Sequence, residues 1–192
     1  MPSAWVYGGA ASCSSPGGVC GGVGAGISKV FADQGATVVT CARRPVEGLP
    51  YDFHSCDIRD DDAVKALIDA VVADHGRLDV VVNNAGGSPY VLAAEASAKF
   101  SRKILELNLL GALSVSTHAN TVMQTQGPGG SIVNITSVSG RRPTPGTVAY
   151  GAAKAGGGEH DRDPGRRVGA QGAGQLRGGG HGGDRAVGTV LR

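Results

Sequence analysis

The sequence has no apolar run that approaches the ~18 residues of a membrane span. Its first cationic side chain is Lys29, so it shows no basic region of a secretory signal. Its four cysteines form no C-x-x-C pair and indicate free thiols of a cytoplasmic protein, not a disulfide framework. The histidines show no metal-ligand spacing with the cysteines, so no metal is predicted. With 18% charged residues and a net charge of +2, charge alone indicates no nucleic-acid or membrane surface.

The composition divides the chain into three zones. A length of 192 residues fits one domain, and 41% hydrophobic residues suffice for a core. Residues 1–16 are small and polar and predict an irregular segment. Residues 17–155 alternate short apolar runs with amphipathic stretches and predict a dinucleotide-binding domain. Residues 156–192 are rich in Gly and Arg. We expect that tail to be disordered or poorly packed, because its few aliphatic residues bury too little surface to offset the entropy of ordering.

The middle zone alternates predicted strands with predicted helices. Residues 37–41, 79–83 and 131–135 are short, apolar and β-branched, which is typical of buried parallel strands, and residues 51–56 are a weaker strand prediction. One helix is predicted from the acidic residues 60–62 to Gly76, and another from a Ser97 cap to about Met123. The pattern predicts an α/β fold, a Rossmann-like, doubly wound parallel sheet with helices on both faces.

A glycine-rich run precedes the first helix. It fits a G-x-x-x-G-x-G motif at Gly18, Gly22 and Gly24, and a competing register uses Gly22 and Gly26 with Ser28 in third place. We favour the first register because it leaves room for three helical turns before the next helix stop. Glycines let the backbone approach a pyrophosphate, whose charge lies at the helix N-terminus. The alternative is a merely flexible loop.

Two loops after strands carry further candidates for nucleotide binding. Arg43, supported by Arg44, lies at a strand end where an acidic residue would select NAD, and an arginine there suits the 2′-phosphate of NADP. NAD remains an alternative, as do two solvated loop arginines. Asn84, Ala85 and Gly86 follow the strand at 79–83, where a turn lines the ligand crevice of a parallel sheet, although Asn and Gly are also common in ordinary turns.

Tyr150 and Lys154 are four residues apart and share one face of a helix. An ammonium one turn away favours the phenolate, which suits a tyrosine for proton transfer. Ser137 lies thirteen residues upstream of Tyr150, just after a strand, and could donate a hydrogen bond to a reacting carbonyl oxygen. The pair alone is also compatible with chance.

Taken together, residues 17–155 resemble the short-chain dehydrogenase/reductase family. The matching pieces occur in the family's order: the glycine motif, Asp57, the Asn83–Gly86 turn, Asn108, Ser137, Tyr150 and Lys154. The resemblance implies hydride transfer between a nicotinamide, expected to be NADP, and the carbon of a carbonyl or secondary alcohol. It also implies a small-molecule substrate and a homo-oligomer.

The resemblance implies a role for each site residue. Tyr150 would protonate the carbonyl oxygen, Lys154 would assist Tyr150 and hold the nicotinamide ribose, and Ser137 would orient the carbonyl. Asn108 would anchor the water that reloads the proton, and Asp57 would contact the adenine. The full cofactor-binding set is Gly18, Gly22, Gly24, Arg43, Asp57, Asn84, Ala85, Gly86, Tyr150 and Lys154.

The sequence departs from the family at both ends. Gly17 stands where the family has a threonine, and Pro16 with several serines occupies the place of a central strand, so we expect that first strand to be degraded. Three glycines are expected to break the helix about one turn past Lys154. We expect the C-terminal strands and the substrate loop to be missing. We also expect part of the helix that builds the family's dimer interface to be missing. The fold is therefore predicted to be incomplete.

These departures leave two other functions to weigh. The chain could be a non-catalytic remnant that binds nucleotide weakly or does not fold alone. Nucleic-acid binding through the Gly/Arg tail is disfavoured, because the arginines are irregularly spaced and no aromatic residue lies between them.

We hypothesise that frameshifts altered both ends of an ordinary family member. The other two reading frames of the encoding DNA are then expected to contain an apolar strand before residue 17 and an apolar helix after residue 155. Translation of both frames tests this, and finding neither element would contradict it.

Overall fold

The computed structural model describes residues 22–46, 48–160, 174–175 and 186–191, without side-chain environments for residues 158–160 and the last two segments. The elements in chain order are α1 (Gly22–Asp33), β1 (Val39–Ala42), β2 (Asp52–Ser55), α2 (Asp61–His75), β3 (Val80–Asn83), α3 (Ala98–Leu105), a π-helical turn (Glu106–Leu110), α4 (Gly111–Thr125), β4 (Ser131–Ser137), a 3-10 turn (Val138–Gly140), α5 (Val148–His160), β5 (Gly174–Gln175) and β6 (Ala186–Leu191).

Local signals in the sequence set the ends of α2. The Asp60 carboxylate accepts a hydrogen bond from the Ala63 amide at 3.2 Å and caps the N-terminus. Gly76 ends the helix in the left-handed conformation, with φ of 75°. Between these ends, the buried face of α2 consists of Val64, Leu67, Ile68 and Val71. The predicted boundaries of this helix are confirmed.

The predicted long helix from Ser97 is one continuous path through α3, the π-helical turn and α4. The Ser97 hydroxyl accepts a hydrogen bond from the Phe100 amide at 3.1 Å and caps the start of α3. The π-helical turn adds a residue to the helical path without ending it. α3 contacts α5, whereas α4 contacts α2.

The strands form two sheets. β1 pairs with β2 in parallel, with Val39 opposite Asp52, and β3 pairs with β4 in parallel, with Val80 opposite Ser131. The second sheet has the order β3-β4-β6-β5. These parallel pairs, alternating with helices, confirm the α/β fold.

The expectation that no strand follows residue 155 is wrong, because β6 pairs with β4 along its length, from Ile132 opposite Leu191 to Ser137 opposite Ala186. β6 runs antiparallel, unlike the other long pairs. The reason lies in local composition: Val187, Thr189 and Val190 give this segment β propensity, and β4 offers it an edge of backbone hydrogen-bonding groups.

The helix carrying Tyr150 is also longer than expected. The glycines at 156–158 do not break it one turn past Lys154, since α5 extends to His160. Gly156 lies against the side chain of Leu109, where an added Cβ would be 3.3 Å from a Leu109 methyl. Close packing of the helix on the π-helical turn therefore offsets the low helix propensity of glycine.

Two clusters of buried side chains form the core. The larger joins α2 and α4 to one face of the strands, with Val71, Leu78 and Ile132 almost fully inaccessible. The smaller, around Val38 and Val82, packs α1 against β1, β3 and β4. Cys41 and Cys56 are buried thiols that form no disulfide. Cys13 and Cys20 lie outside the described residues.

Both core clusters contain residues in or next to strands of both sheets, but no described strand pairing joins the sheets. Within the described ranges, no strand lies between β1 and β3. The Ser28 hydroxyl of α1 is buried with no partner among the described residues. The predicted degraded first strand falls before residue 22 and lies outside the described residues.

In the described part of the chain, no helix is both long and apolar enough to cross a bilayer.

A matched pair of valines tests this core. Val71→Ala removes two methyl groups from a side chain with 0% exposure, and we expect it to lower the free energy of unfolding by about 2 kcal/mol. Val30→Ala, at a helical site that is 62% exposed, should change it by less than about 0.5 kcal/mol. Urea unfolding measures both values, and equal losses would contradict the assigned core.

Candidate active site

The carboxyl ends of β3 and β4 open onto a cleft of about 390 Å³. The strands are parallel and in register, so the residues that follow Asn83 and the end of β4 lie at the same sheet edge. The start of α5 closes the other side. The cleft is lined by Val23, Asn84, Gly86, Gly87, Ser88, Ile135, Thr136, Ser137, Ser139, Thr144, Thr147, Tyr150 and Lys154.

Tyr150 and Lys154 lie on one face of α5, toward this cleft. The Lys154 Nζ atom is 5.8 Å from the centroid of the Tyr150 ring. Lys154 is only 9% exposed, and its Nζ donates a hydrogen bond to the Ile135 carbonyl at 2.7 Å. Burial lowers the pKa of Lys154 from 10.5 to about 8. The carbonyl of β4 therefore fixes the lysine beneath the tyrosine.

Ser137 is the last residue of β4 and faces the same cleft. Its Oγ accepts a hydrogen bond from the Ser139 amide at 3.2 Å, which orients the side chain at the start of the 3-10 turn. This bond uses an acceptor lone pair, so the hydroxyl proton can be donated to a ligand in the cleft.

Asn108 lies buried in the π-helical turn and anchors the loop that follows β3. Its Oδ1 accepts from the Gly87 amide at 2.7 Å, and its Nδ2 donates to the Gly87 carbonyl and to the Ile104 carbonyl, each at 2.9 Å. A Cβ at Gly86 would lie 2.6 Å from Asn108 Oδ1 and 3.3 Å from Lys154 Nζ. Only glycine fits between these two side chains.

Behind Lys154 lies a second, smaller chamber of about 20 Å³, which has room for one water molecule. Three asparagines, Asn83, Asn108 and Asn134, contribute to its wall together with Lys154. Asn83 donates to Asn134 Oδ1 at 2.7 Å and to the Ser116 hydroxyl at 2.9 Å. Its own Oδ1 is buried without a partner among the described residues.

The sequence prediction did not include Asn83 or Asn134 in the site. The only signal was two asparagines at corresponding positions of two strands, and that signal has meaning only once the parallel register is known. Thr147 and Ser88 were missed as well, because loop residues have no periodicity that assigns them to a cleft.

The glycine motif lies at the start of α1. Gly22 has φ of 68° and begins the helix, and Gly24 is buried. The helix therefore begins two residues before Gly24, the start expected from the first register, and Gly26 and Ser28 of the competing register lie inside it. Gly18 lies outside the described residues. Asn84 and Gly86 line the cleft, and Ala85 beside them is buried in the larger core cluster.

Arg43 and Asp57 follow β1 and β2 at the edge of the other sheet, and neither lines the cleft. Arg43 is exposed, and its carbonyl accepts a hydrogen bond from the Ser55 hydroxyl at 3.4 Å. Asp57 forms an ion pair with Arg59. Hydrogen bonding from Arg59 lowers the pKa of Asp57, and the charge of Arg43 contributes in the same direction. The structure thus brings the four predicted catalytic residues together and places these two charged residues apart from them.

Comparison with known proteins gives consistent matches. Residues 17–160 match the model of the short chain dehydrogenase family. The chain is 36% identical over 145 residues to the L-fucose dehydrogenase of Oryctolagus cuniculus, covering 71% of this chain and 50% of that protein. It is 33% identical over 150 residues to the 3-oxoacyl-(acyl-carrier-protein) reductase of Thermotoga maritima, covering 72% and 61%. The chain therefore spans about half to three fifths of the length of these curated relatives.

Solved structures match over the same region. The ligand-free aldohexose dehydrogenase of Thermoplasma acidophilum superposes with a TM-score of 0.73 at 28% identity, covering 84% of this chain and 60% of that one. A single-substitution variant of the actinorhodin polyketide ketoreductase, solved with NADPH, gives a TM-score of 0.71 at 28% identity, covering 84% and 65%.

The burial of Lys154 predicts a dependence of stability on pH. The pKa of Lys154 is about 8 in the folded chain and near the ordinary 10.5 in the unfolded chain. Between these values the unfolded state binds more protons, so the free energy of unfolding should rise as the pH rises through this window. Lys154→Met should remove that part of the rise, and Lys99→Met, at an exposed position of α3, should leave it in place. Urea unfolding at a series of pH values measures the slopes, and equal slopes for wild type and Lys154→Met would contradict the burial.

Proposed function

Because this chain belongs to the short-chain dehydrogenase family, we propose that it is an NADP(H)-dependent oxidoreductase acting on a carbonyl or secondary alcohol. The observation that carries the proposal is the Tyr150–Lys154 pair on one helix face, opposite Ser137 across a single cleft. The relatives named above are dehydrogenases and reductases, which supports this class of reaction.

Tyr150 is the proton donor and acceptor. When bound, the nicotinamide supplies or removes the hydride at the substrate carbon. In reduction, Tyr150 transfers its hydroxyl proton to the carbonyl oxygen, and in oxidation its phenolate removes the alcohol proton. The ammonium of Lys154 stabilises the phenolate through its charge, since it lies 5.8 Å from the ring.

Ser137 holds the substrate oxygen in place for this transfer. Its amide contact with Ser139 fixes Oγ, and the hydroxyl proton is directed to the carbonyl oxygen. A fixed donor of this kind stabilises the negative charge that develops on the oxygen and aligns the carbonyl with Tyr150.

Asn108 and the small chamber provide a route for reloading the proton. Lys154 lines both the cleft and the chamber, and a water in the chamber would contact the lysine from the side away from the cleft. Asn108 keeps that chamber in place by its three hydrogen bonds to the backbone. This arrangement supports the role of Asn108 in anchoring a relay water.

The residues around the cleft fit a dinucleotide. Gly22 and Gly24 at the start of α1, together with Gly18 of the sequence motif, would hold the pyrophosphate, because the first amides of a helix point toward an anion. Gly86 leaves space where a Cβ would collide with Asn108 and Lys154, and Asn84 also lines the cleft. Ala85 has its side chain in the core, so only its backbone would contact the nucleotide.

Arg43 and Asp57 follow the strands of the other sheet, outside the cleft. Arg43 is exposed and would contact the 2′-phosphate of NADP, and Asp57 would contact the adenine. The finer preference for NADP over NAD rests on Arg43 alone. We propose that substrates are small molecules and that the protein forms a homo-oligomer.

The second candidate is a non-catalytic remnant of such an enzyme. It is favoured by the sequence before residue 17, where Pro16 and several serines occupy the place of the family's central strand. A chain of this kind would bind nucleotide weakly and would melt without cooperativity.

Titration of the purified chain with NADPH separates the two candidates. We expect NADPH fluorescence to be enhanced on binding and a panel of carbonyl compounds to be reduced. Tyr150→Phe should lower kcat by at least about 100-fold, because the hydroxyl that transfers the proton is lost, while NADPH still binds through the other residues of the dinucleotide site. Tyr51→Phe, outside the cleft, is the matched control. Absence of NADPH binding together with a broad, non-cooperative melt would support the remnant instead.

A further inference from the structure

Two cysteines lie side by side in the core beneath the first sheet. Cys41 is in β1, and Cys56 directly follows the last residue of β2. Both side chains belong to the larger core cluster and are almost completely buried, with 1% and 5% exposure. Neither forms a disulfide. We call these two residues the thiol pair.

The strand register places the thiol pair on one face of the sheet. Cys41 lies opposite His54 in the parallel pairing, and Cys56 is two residues further along the chain. Side chains two residues apart on an extended chain point to the same face. The Cys56 amide continues the pairing by donating to the Ala42 carbonyl at 3.0 Å. The two thiols also share a hydrogen bond, so they are in contact before any reaction.

Cys56 has the properties of an attacking thiol. A hydrogen bond from the Cys41 thiol lowers the pKa of Cys56, although burial and the negative charge of Asp57 act in the opposite direction. The flanking Ser55 is exposed and Asp57 is half-buried, and β2 pairs with β1 alone among the described strands. Cys56 therefore lies just below the surface at a sheet edge, where a molecule as small as hydrogen peroxide can reach it.

Hydrogen peroxide supplies the oxidising equivalents for a disulfide. The Cys56 thiolate attacks one peroxide oxygen, the O–O bond breaks, and hydroxide leaves, which gives a sulfenic acid. The Cys41 thiol then attacks that sulfur, the S–O bond breaks, and the S–S bond forms with release of water. The hydroxide takes up the proton that the Cys56 thiol lost. In sum, two thiols and one peroxide give one disulfide and two water molecules, and two electrons pass from sulfur to oxygen.

Each cysteine is close in sequence to a residue that the proposed function assigns to the nucleotide. Arg43 is two residues after Cys41, and Asp57 directly follows Cys56. The Ser55 hydroxyl donates a hydrogen bond to the Arg43 carbonyl at 3.4 Å, so the two segments already face each other. A disulfide is shorter than a hydrogen bond between thiols, so its formation draws the two segments together.

We propose that the thiol pair is a redox site, which hydrogen peroxide converts to an intramolecular disulfide and thiol reductants restore. The disulfide displaces Arg43 and Asp57 and thereby lowers the affinity of the chain for NADPH. The disulfide follows from the thiol pair alone, whereas its effect on NADPH rests on the proposed function.

Peptide mapping of the full chain after peroxide treatment tests for the disulfide. Trypsin separates residues 1–29, which contain the other two cysteines, from residues 30–43 and 44–59, which contain one thiol of the pair each. Remaining thiols are blocked with N-ethylmaleimide before digestion. We expect the monomeric chain to yield peptide 30–43 linked to peptide 44–59, and dithiothreitol to separate them. Unlinked peptides, with a sulfinic acid on peptide 44–59, would overturn the proposal.

Titration with NADPH measures the consequence of the disulfide. Peroxide treatment should raise the Kd for NADPH by at least about fivefold, and dithiothreitol should reverse the rise. Cys56→Ala should remove this sensitivity to peroxide, because no disulfide partner remains for Cys41. If Cys56→Ala fails to fold, Cys41→Ala gives the same test. The matched control is the double variant Cys13→Ala/Cys20→Ala, which should remain sensitive.

The combined results separate this inference from the proposed function. A linked peptide with an unchanged Kd overturns the control of nucleotide binding and leaves the proposed function standing. A linked peptide in a chain whose reduced form does not bind NADPH supports the redox site and contradicts the proposed function. Loss of peroxide sensitivity in the Cys13→Ala/Cys20→Ala variant assigns the effect to those two cysteines, and the inference then fails.

Discussion

The burial of one ammonium group organises the active-site edge of this protein. Lys154 is removed from water by α5 and β4, and the described structure gives it one direct backbone acceptor, the Ile135 carbonyl. A buried cation is costly unless polar groups surround it, and the asparagines of the chamber and the open cleft supply those groups on its two sides. The glycine at position 86 follows from the same constraint, because the loop must pass between Lys154 and Asn108.

Where local chemistry decides the structure, the sequence was sufficient. The caps at Asp60 and Ser97 and the glycine stop at Gly76 act within one turn, and the helices begin and end at those residues. The four-residue spacing of Tyr150 and Lys154 likewise predicts a shared face. Ser137 was assigned to the site by its place after a strand, thirteen residues before Tyr150, whereas Asn108 was assigned by resemblance to the family.

Where distant segments decide the structure, the sequence was not sufficient. The small chamber depends on the register of β3 against β4, which no local pattern encodes. β6 forms because it pairs with the edge of β4. The few strand-forming residues of β6 lie among many glycines, so they did not predict a strand. α5 continues through three glycines because it packs against the π-helical turn, so tertiary contact overrides propensity. The hydrogen bond from the Val91 amide to the Gly146 carbonyl likewise joins two loops that are far apart in sequence.

The π-helical turn has an effect on the phase of the helix that contains it. One extra residue in a helix of 3.6 residues per turn rotates everything beyond it by roughly 100°. The buried face of this continuous helix therefore packs against α5 before the turn and against α2 after it. A single inserted residue thus allows one continuous helix to pack against two different helices, and Asn108 lies in the turn between the two halves.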